Sequence, residues 1–183
     1  MKAPRRFDTA RLTLVSPNAS DSAEVFQRYA SDPEVTRFLG WPRHRTIADT
    51  DAFLKFSDAE WERWPAGPYL LRSRADNQLL GATGLGFESA EKAITGYVLA
   101  RDAWGQGYAT EALRAMVDVA RGVGVGRLSA LCHPQNLASW RVLEKCGFAR
   151  DGHWSGQTEF PNIAPGVRDD ALRYVLVLDS RLS

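Results

Sequence analysis

Short apolar segments bounded by turn-forming residues recur along most of this chain. In the first of them Leu12 and Leu14 alternate with Thr13, a pattern typical of a strand with one buried face. Six later segments are similarly short and apolar. The pattern therefore predicts strands at residues 11–16, 69–73, 79–87, 93–100, 127–132, 149–154 and 171–178.

Turn residues indicate how these strands are joined. Asp76-Asn77 separates the second predicted strand from the third, and the polar run 88–92 separates the third from the fourth. Gaps this short join antiparallel neighbours. Residues 157–167 hold two prolines and a glycine, and they predict a loop between the last two strands.

Apolar residues at helical spacing predict four helical regions. The clearest covers residues 109–121, where Ala112, Met116 and Ala120 lie on one face. Another follows Asn18, with Ser20 or Asp21 as its cap, and continues to Tyr29. The remaining two cover residues 46–64 and 137–146, and Gly147 ends the second of them.

The order of elements between residues 93 and 132 fixes the fold class. A strand runs into a glycine turn, then a helix, then another strand, and such a crossover makes its two strands parallel. The other connections are antiparallel. We therefore expect an α+β fold with a mixed sheet, formed as a single domain over residues 1–183.

Composition and charge indicate which classes of partner and which cellular compartment to expect. Lys plus Arg total 23 and Asp plus Glu total 22, so the net charge of +1 gives no reason to expect nucleic acid or an acidic membrane. Cys132 and Cys146 form neither a disulfide framework nor a metal motif, and we expect no metal. No apolar run reaches membrane-spanning length, and residues 1–7 lack the apolar stretch of a signal peptide, so we expect a cytoplasmic protein.

The segment Trp104-Gly-Gln-Gly-Tyr-Ala-Thr-Glu-Ala112 joins a predicted strand to a helix. Glycines at 105 and 107 let backbone N–H groups approach a ligand, and the first helical turn adds free donors and a positive dipole end. This arrangement suits a pyrophosphate, with the Thr110 hydroxyl as a further donor. A simple tight turn is the alternative. The segment lacks the P-loop lysine and the dinucleotide glycine pattern.

A second polar segment, His133 to Phe148, follows the next predicted strand. Asn136 occupies the position of a helix cap, and Ser139 lies in the first turn. Leu143 and Cys146 should face the core. His133 is interpreted as a loop residue. Lys145 is interpreted as solvated, with the 3′-phosphate of a nucleotide as the alternative partner.

Together these two segments resemble the acetyl-CoA motifs of the GNAT superfamily of N-acetyltransferases. Within the superfamily, the sequence of the two segments is most similar to the branch that acetylates the N-termini of ribosomal proteins. That branch also shows patterns like Thr9-Ala-Arg11-Leu-Thr-Leu14, Trp41-Pro42 and the C-terminal segment 170–178. One departure from the general superfamily is Trp104, which stands where Gln or Arg is usual. It leaves backbone donors to hold the phosphates.

The resemblance implies a GNAT-type sheet of about seven strands, mostly antiparallel, with a central splayed parallel pair and about four flanking helices. It implies acetyl-CoA as co-substrate and an amine as acceptor. The protein would be an acyltransferase, and dimers are common in the family. The residues implied in cofactor binding are Tyr97, Val98, Leu99, Trp104, Gly105, Gln106, Gly107, Tyr108, Ala109, Thr110, Asn136, Ser139 and Leu143.

The family reaction, direct attack of a neutral amine on the thioester, implies three roles. A backbone N–H near Val98 or Leu99 would polarise the carbonyl. Ser139 would protonate the leaving thiolate, with helix capping as an equally weighted alternative. Glu88 is the first choice for the base that deprotonates the amine, His153 and Glu159 are the next, and ordered water is a further option.

The acceptor side is marked by the cluster Trp41-Pro-Arg-His-Arg45. Trp41, Glu88 and His153 are the expected substrate-binding residues, although Trp41 could equally anchor two helices to the core. Two other functions remain open at this point. One is an acetyl-CoA-binding sensor or scaffold without turnover. The other is a different phosphate-ligand enzyme, which the missing lysine disfavours.

Overall fold

The computed structural model describes residues 1–178, in which eight strands form one sheet. The neighbour order is β1-β2-β3-β4-β5-β6-β8-β7, and only β5 and β6 run parallel. The strands are β1 (Arg6–Asp8), β2 (Leu12–Val15), β3 (Pro68–Ser73), β4 (Leu79–Ser89), β5 (Lys92–Leu99), β6 (Arg127–Cys132), β7 (Ala149–Glu159) and β8 (Arg168–Val177). The expected mixed, mostly antiparallel sheet is confirmed.

Five α-helices occur in the described residues: α1 (Ser22–Val25), α2 (Pro33–Thr36), α3 (Ile47–Arg63), α4 (Tyr108–Gly122) and α5 (Leu137–Lys145). None of the helices within residues 1–178 is both long and apolar enough to cross a membrane. The crossover from β5 to β6 passes through α4, as the order of elements predicts.

The helix predicted to end at Tyr29 is irregular. It begins as a 3₁₀ turn at Ala19–Asp21, becomes α1, and ends as a π turn at Phe26–Ala30. Both the backbone N–H and the hydroxyl of Ser31 donate to the Phe26 carbonyl, at 3.2 and 2.7 Å. This bond across five residues widens the last turn, which is the definition of a π turn.

The largest differences from the predicted strands concern β1, β7 and β8, and β8 begins at Arg168 instead of residue 171. β1 was not predicted, because only Phe7 of its three residues is apolar. β7 extends to Glu159 although residues 157–167 predict a loop. Thr158 and Glu159 pair with Asp169 and Arg168 after a bulge between Trp154 and Thr158. The strand is a mostly exposed edge strand, so it lacks the apolar alternation by which a strand is recognised.

Buried side chains form a cluster on each face of the sheet. Leu70 and Leu71 are adjacent in β3 and belong to different clusters, since successive side chains point to opposite faces. The larger cluster includes buried residues of α3, α4 and α5. The smaller one includes those of α1, the π turn and α2.

The parallel pair opens part-way along its length. β5 and β6 are paired only where Lys92–Ile94 faces Arg127–Ser129. Beyond that point β5 continues to Leu99 and β6 to Cys132 without pairing with each other, so an opening forms between them, here called the β5–β6 gap. The splayed central pair that the resemblance implies is therefore present.

Candidate active site

β5 ends at Leu99, and a 3₁₀ turn (Arg101–Ala103) connects it to the Gly loop (Gly105-Gln106-Gly107) at the open end of the gap. Gly105 and Gly107 have φ angles of 72° and 82°, a left-handed conformation that side-chain-bearing residues rarely adopt. Gly107 is the N-cap of α4, which begins at Tyr108. The glycines thus turn the chain sharply and aim the N-terminus of α4 toward the open end of the gap.

The backbone donors of this turn are available to a ligand. Within residues 1–178, the N–H groups of residues 105–110 donate to no backbone or side-chain acceptor. The first hydrogen bond of α4 runs from the Glu111 N–H to the Gly107 carbonyl, at 3.1 Å. Unpaired donors and the positive helix end together favour an anion at this place.

Side chains around the Gly loop hold it in position. The Trp104 indole N–H donates to the Leu99 carbonyl at 2.9 Å. The side-chain amide nitrogen of Gln106 donates to the backbone carbonyl of Asp102 at 2.7 Å. Asp102 also accepts a bidentate contact from Arg28, at 2.9 and 3.0 Å. Trp104 and Gln106 therefore contribute through their hold on the backbone.

The hydrogen bonding of β5 shows which of its amides face the gap. The Ala100 N–H donates to the Leu80 carbonyl of the neighbouring strand β4, at 2.8 Å. Because donors alternate between the two edges of a strand, Val98 also points toward β4, with Ala82 as its partner. Leu99 and Tyr97 then direct their N–H groups toward the gap. Of the two amides that the sequence indicates, Leu99 is the one in position to bind a carbonyl oxygen.

Tyr97 and Ser139 meet across the gap. The Tyr97 hydroxyl lies 3.2 Å from the Ser139 carbonyl and 3.3 Å from Ser139 Oγ. Burial raises the pKa of Tyr97 to about 12, although the hydrogen bond to Ser139 opposes this shift. The hydroxyl stays neutral at physiological pH. The sequence placed Tyr97 among the cofactor-binding residues but did not predict its contact with Ser139, since nothing in the sequence places the ring opposite α5.

The first turn of α5 shapes the other side of the gap. Asn136 caps the helix and accepts the Ser139 N–H at 3.3 Å, as predicted. The Ser139 hydroxyl is thus left to face Tyr97. Leu143 is buried in the larger core cluster, where it supports the helix. Lys145 is exposed.

His133 lies in the loop just beyond β6, as expected, and is part of an aromatic wall. Its ring stacks on Phe38 at 4.9 Å and meets the edge of Phe160 at 4.8 Å. Nδ1 accepts the Gln135 N–H at 3.1 Å, which assigns the ring proton of the neutral form to Nε2. Nε2 lies 3.4 Å from Asp169 Oδ2. No sequence signal links these residues, which lie 27 to 122 positions apart.

Asn162 connects the β7–β8 loop to the segment between α2 and α3. Its amide nitrogen donates to the carbonyls of Thr36 and Trp41, at 2.7 and 2.8 Å. Its amide oxygen accepts the Arg43 N–H at 2.7 Å. Trp41 also packs against His44, with ring centroids 5.2 Å apart. The predicted acceptor-side cluster is therefore held against the loop that carries the aromatic wall.

The three base candidates lie in different places. Glu88 is exposed in the bulged end of the β4–β5 hairpin, at the opposite end of β5 from the Gly loop. His153 on β7 is paired with Asp170, with Nε2 and Oδ2 3.0 Å apart. Glu159 precedes Phe160 of the aromatic wall, and its carboxylate accepts the Gly166 N–H at 2.9 Å. The structure does not bring Glu88 together with the other two.

The sequence matches the model of a known protein family. Residues 11–149 match the acetyltransferase (GNAT) domain. The chain belongs to the GNAT family of acetyltransferases. A curated relative, the "Uncharacterized N-acetyltransferase p20" of Bacillus licheniformis, is 28% identical over 79% of this chain and 82% of its own length. The GNAT protein described here is therefore an acyltransferase.

Solved structures show the same fold over nearly the full length of this GNAT protein. RimL, a ribosomal L7/L12 alpha-N-protein acetyltransferase in complex with coenzyme A, superposes with a TM-score of 0.81 at 21% identity, covering 94% of this chain and 97% of RimL. The microcin C7 self immunity acetyltransferase MccE, in complex with acetyl-CoA and AMP, gives 0.82 at 19% identity, covering 93% and 94%. The resemblance to GNAT proteins, with a ribosomal-protein acetyltransferase among the structural neighbours, is confirmed.

Proposed function

We propose that this GNAT protein transfers an acetyl group from acetyl-CoA to a primary amine, either a protein N-terminus or a small molecule, by direct attack. The observation that carries the proposal is the set of free amides at residues 105–110 beside the opened β5–β6 pair. The free amides and the positive N-terminal end of α4 can bind the diphosphate of CoA, and the gap can take its pantetheine arm. The ligands in the RimL and MccE structures support this assignment.

The thioester carbonyl would be polarised by the Leu99 N–H. This donor is fixed in a strand, and its own carbonyl is held by Trp104 at 2.9 Å. A fixed donor strengthens its bond as negative charge develops on the carbonyl oxygen and needs no reorganisation at that moment. Rigidity of β5 at Leu99 is therefore part of the proposed chemistry.

Ser139 would donate a hydrogen bond to the departing thiolate, with Tyr97 behind it. Thiols ordinarily have a pKa of about 8.5, well below that of Tyr97. Transfer of the tyrosine proton to the thiolate is therefore uphill, and the pair stabilises the sulfur without supplying its proton. The proton balance closes with the acceptor, because the amine nitrogen loses a proton on acetylation and the CoA sulfur gains one.

For the base, the geometry supports Glu159 ahead of Glu88. Glu159 lies beside the aromatic wall formed by Phe38, His133 and Phe160, just beyond β6. Glu88 lies at the far end of the hairpin, and the imidazole of His153 is engaged by Asp170. Glu159→Gln should lower kcat/KM by roughly 10²-fold, because the amine then lacks the group that accepts its proton. Glu88→Gln is the matched control, expected to leave kcat/KM unchanged.

The experiment for the overall function is thiol release from acetyl-CoA across a panel of amines, including peptides with free N-termini. Acceptor-dependent release is expected. Tight CoA binding without turnover on any amine would instead support the sensor alternative. Preference for ATP or NAD over CoA would contradict the assignment altogether.

A further inference from the structure

The turn between β1 and β2 contacts the Gly loop and the first turn of α4. Glu111 of α4 accepts three hydrogen bonds from this turn. The Thr9 hydroxyl donates at 2.6 Å, the Arg11 N–H at 2.8 Å and the Arg11 side-chain Nε at 2.8 Å. A residue more than 95 positions distant thus meets the carboxylate in the helix turn that adjoins the proposed diphosphate site.

Arg11 reaches the Gly loop itself. Its Nη1 donates to the Gln106 carbonyl at 2.8 Å, and its guanidinium lies 4.6 Å from the centre of the Tyr108 ring. One side chain therefore binds the loop backbone, the first residue of α4 and the Glu111 carboxylate. Arginine can do this because its planar fork offers several donors in fixed directions.

The bond to the Gln106 carbonyl has a consequence for the next amide. In a trans peptide the C=O and the following N–H point in opposite directions. Holding the Gln106 carbonyl toward Arg11 therefore directs the Gly107 N–H away from Arg11. That N–H is one of the unpaired donors of residues 105–110.

We infer that Arg11 and Glu111 form a brace that positions the Gly loop for the diphosphate of acetyl-CoA. The inference rests on the proposed acetyl-CoA site and gives the Thr9-Ala10-Arg11 pattern a role. Both residues act through the loop backbone, so they are positioning residues.

Glu111 lies in the first turn of α4, where the positive helix end favours a negative charge. Glu111 has only 16% of its side chain exposed, and its negative charge opposes a nearby anion. Partial burial works against its ionisation, but hydrogen bonds from Thr9 and Arg11 and the Arg11 charge hold its pKa below the ordinary value. It is therefore ionised at neutral pH, and its charge is matched by Arg11.

The decisive variant is Glu111→Gln, because two explanations predict opposite signs. If charge alone mattered, removing an anion and freeing Arg11 would tighten CoA binding. If the brace matters, Arg11 loses its charge-assisted partner, the loop loosens and CoA binds more weakly. We expect the dissociation constant of CoA, measured by calorimetry, to rise about tenfold, the loss of one charge-assisted hydrogen bond.

Arg11→Gln should weaken CoA binding at least as much, and Arg11→Lys should recover part of the loss while leaving saturated kcat unchanged. Arg5→Gln is the control. Arg5 lies in the same N-terminal segment as Arg11, but its side chain forms an exposed ion pair with Glu62 and not with the Gly loop. Tighter binding by Glu111→Gln, or unchanged binding by Arg11→Gln, would overturn the brace.

A readout without ligand separates this inference from the proposed function. The ¹⁵N heteronuclear NOE of Gly105 and Gly107 in the free protein should fall in Arg11→Gln and stay unchanged in Arg5→Gln. Equal values in both variants and the wild type would refute the brace even if CoA binds. Failure of the wild type to bind CoA would refute the cofactor site while this NOE comparison still reports on the brace.

Discussion

Tyr97 on β5 and Ser139 on α5 are joined across the gap by one hydroxyl group, 3.2 Å from a carbonyl and 3.3 Å from a side-chain oxygen. The carbonyl can only accept, so the Tyr97 proton is directed to it. The Ser139 hydroxyl is then free to donate, either to Tyr97 or to a sulfur atom entering the gap. The contact thereby positions the Ser139 hydroxyl in the gap, where it can donate a hydrogen bond to the leaving thiolate of CoA.

Ser139→Ala should lower kcat roughly 10- to 100-fold and leave the CoA dissociation constant unchanged, because its hydrogen bond forms to charge that develops only during reaction. Tyr97→Phe should have a smaller effect, and the double variant should cost less than the product of the two. Steady-state kinetics and CoA calorimetry of all four proteins measure this coupling. Strictly multiplicative effects would show that the two hydroxyls act independently.

Stability should fall in alkaline solution from about pH 9 upward. Burial raises the pKa of Cys132 from 9.0 to about 11, so the folded state keeps a proton that the unfolded state releases. This contribution is complete below pH 9 and is lost as pH rises toward 11, at about 1.4 kcal/mol per pH unit. Urea unfolding of Cys132→Ala should show a flatter decline between about pH 9 and 10. Identical slopes would contradict the assignment.

Gly107→Ala should destabilise the protein by about 1 kcal/mol and weaken CoA binding. Its φ of 82° strains any residue with a side chain, and an added Cβ would lie 3.3 Å from Arg11 Nη2. Gly122→Ala is the matched control at the other end of α4, where nothing lies within 4 Å of the new atom. Denaturation and calorimetry should find Gly122→Ala close to wild type. Equal behaviour of both variants would argue against a special conformation at Gly107.

Asn162 offers a test of the acceptor-side wall. Asn162→Ala should lower the free energy of unfolding by about 2 kcal/mol, because Thr36, Trp41 and Arg43 lose partners. Asn162→Asp should be at least as harmful, since a carboxylate would replace the donor that now faces two carbonyl oxygens. Denaturation curves measure both. Wild-type stability of the aspartate variant would mean that the amide nitrogen does not hold this wall.

The sequence predicted the parts of the site whose chemistry is local. The Gly loop and the Asn136 cap lie at junctions of strand and helix, where neighbours along the chain determine the conformation. Their roles in binding acetyl-CoA stay predictions until a ligand is tested. The same holds for the expected homodimer and for the three base candidates.

Contacts between residues far apart in the chain could not be predicted from the sequence. Asn162 and Thr36 are 126 positions apart, and Tyr97 meets Ser139 only after α5 is placed over the gap. The missed part of β7 is polar and bulged, so its strand character comes from pairing with β8. Residues 179–183 lie outside the described part of the chain, and the C-terminal segment 170–178 lies wholly within it.

Amide hydrogen exchange with and without CoA tests the central claim most directly. The account predicts that CoA slows exchange at residues 105–110 and at Leu99, while the amides of Phe87 and Ala93, paired at the opposite end of β5 from the Gly loop, keep their rates. Binding of CoA that leaves the amides of residues 105–110 unprotected would contradict it, as would a folded protein that does not bind CoA.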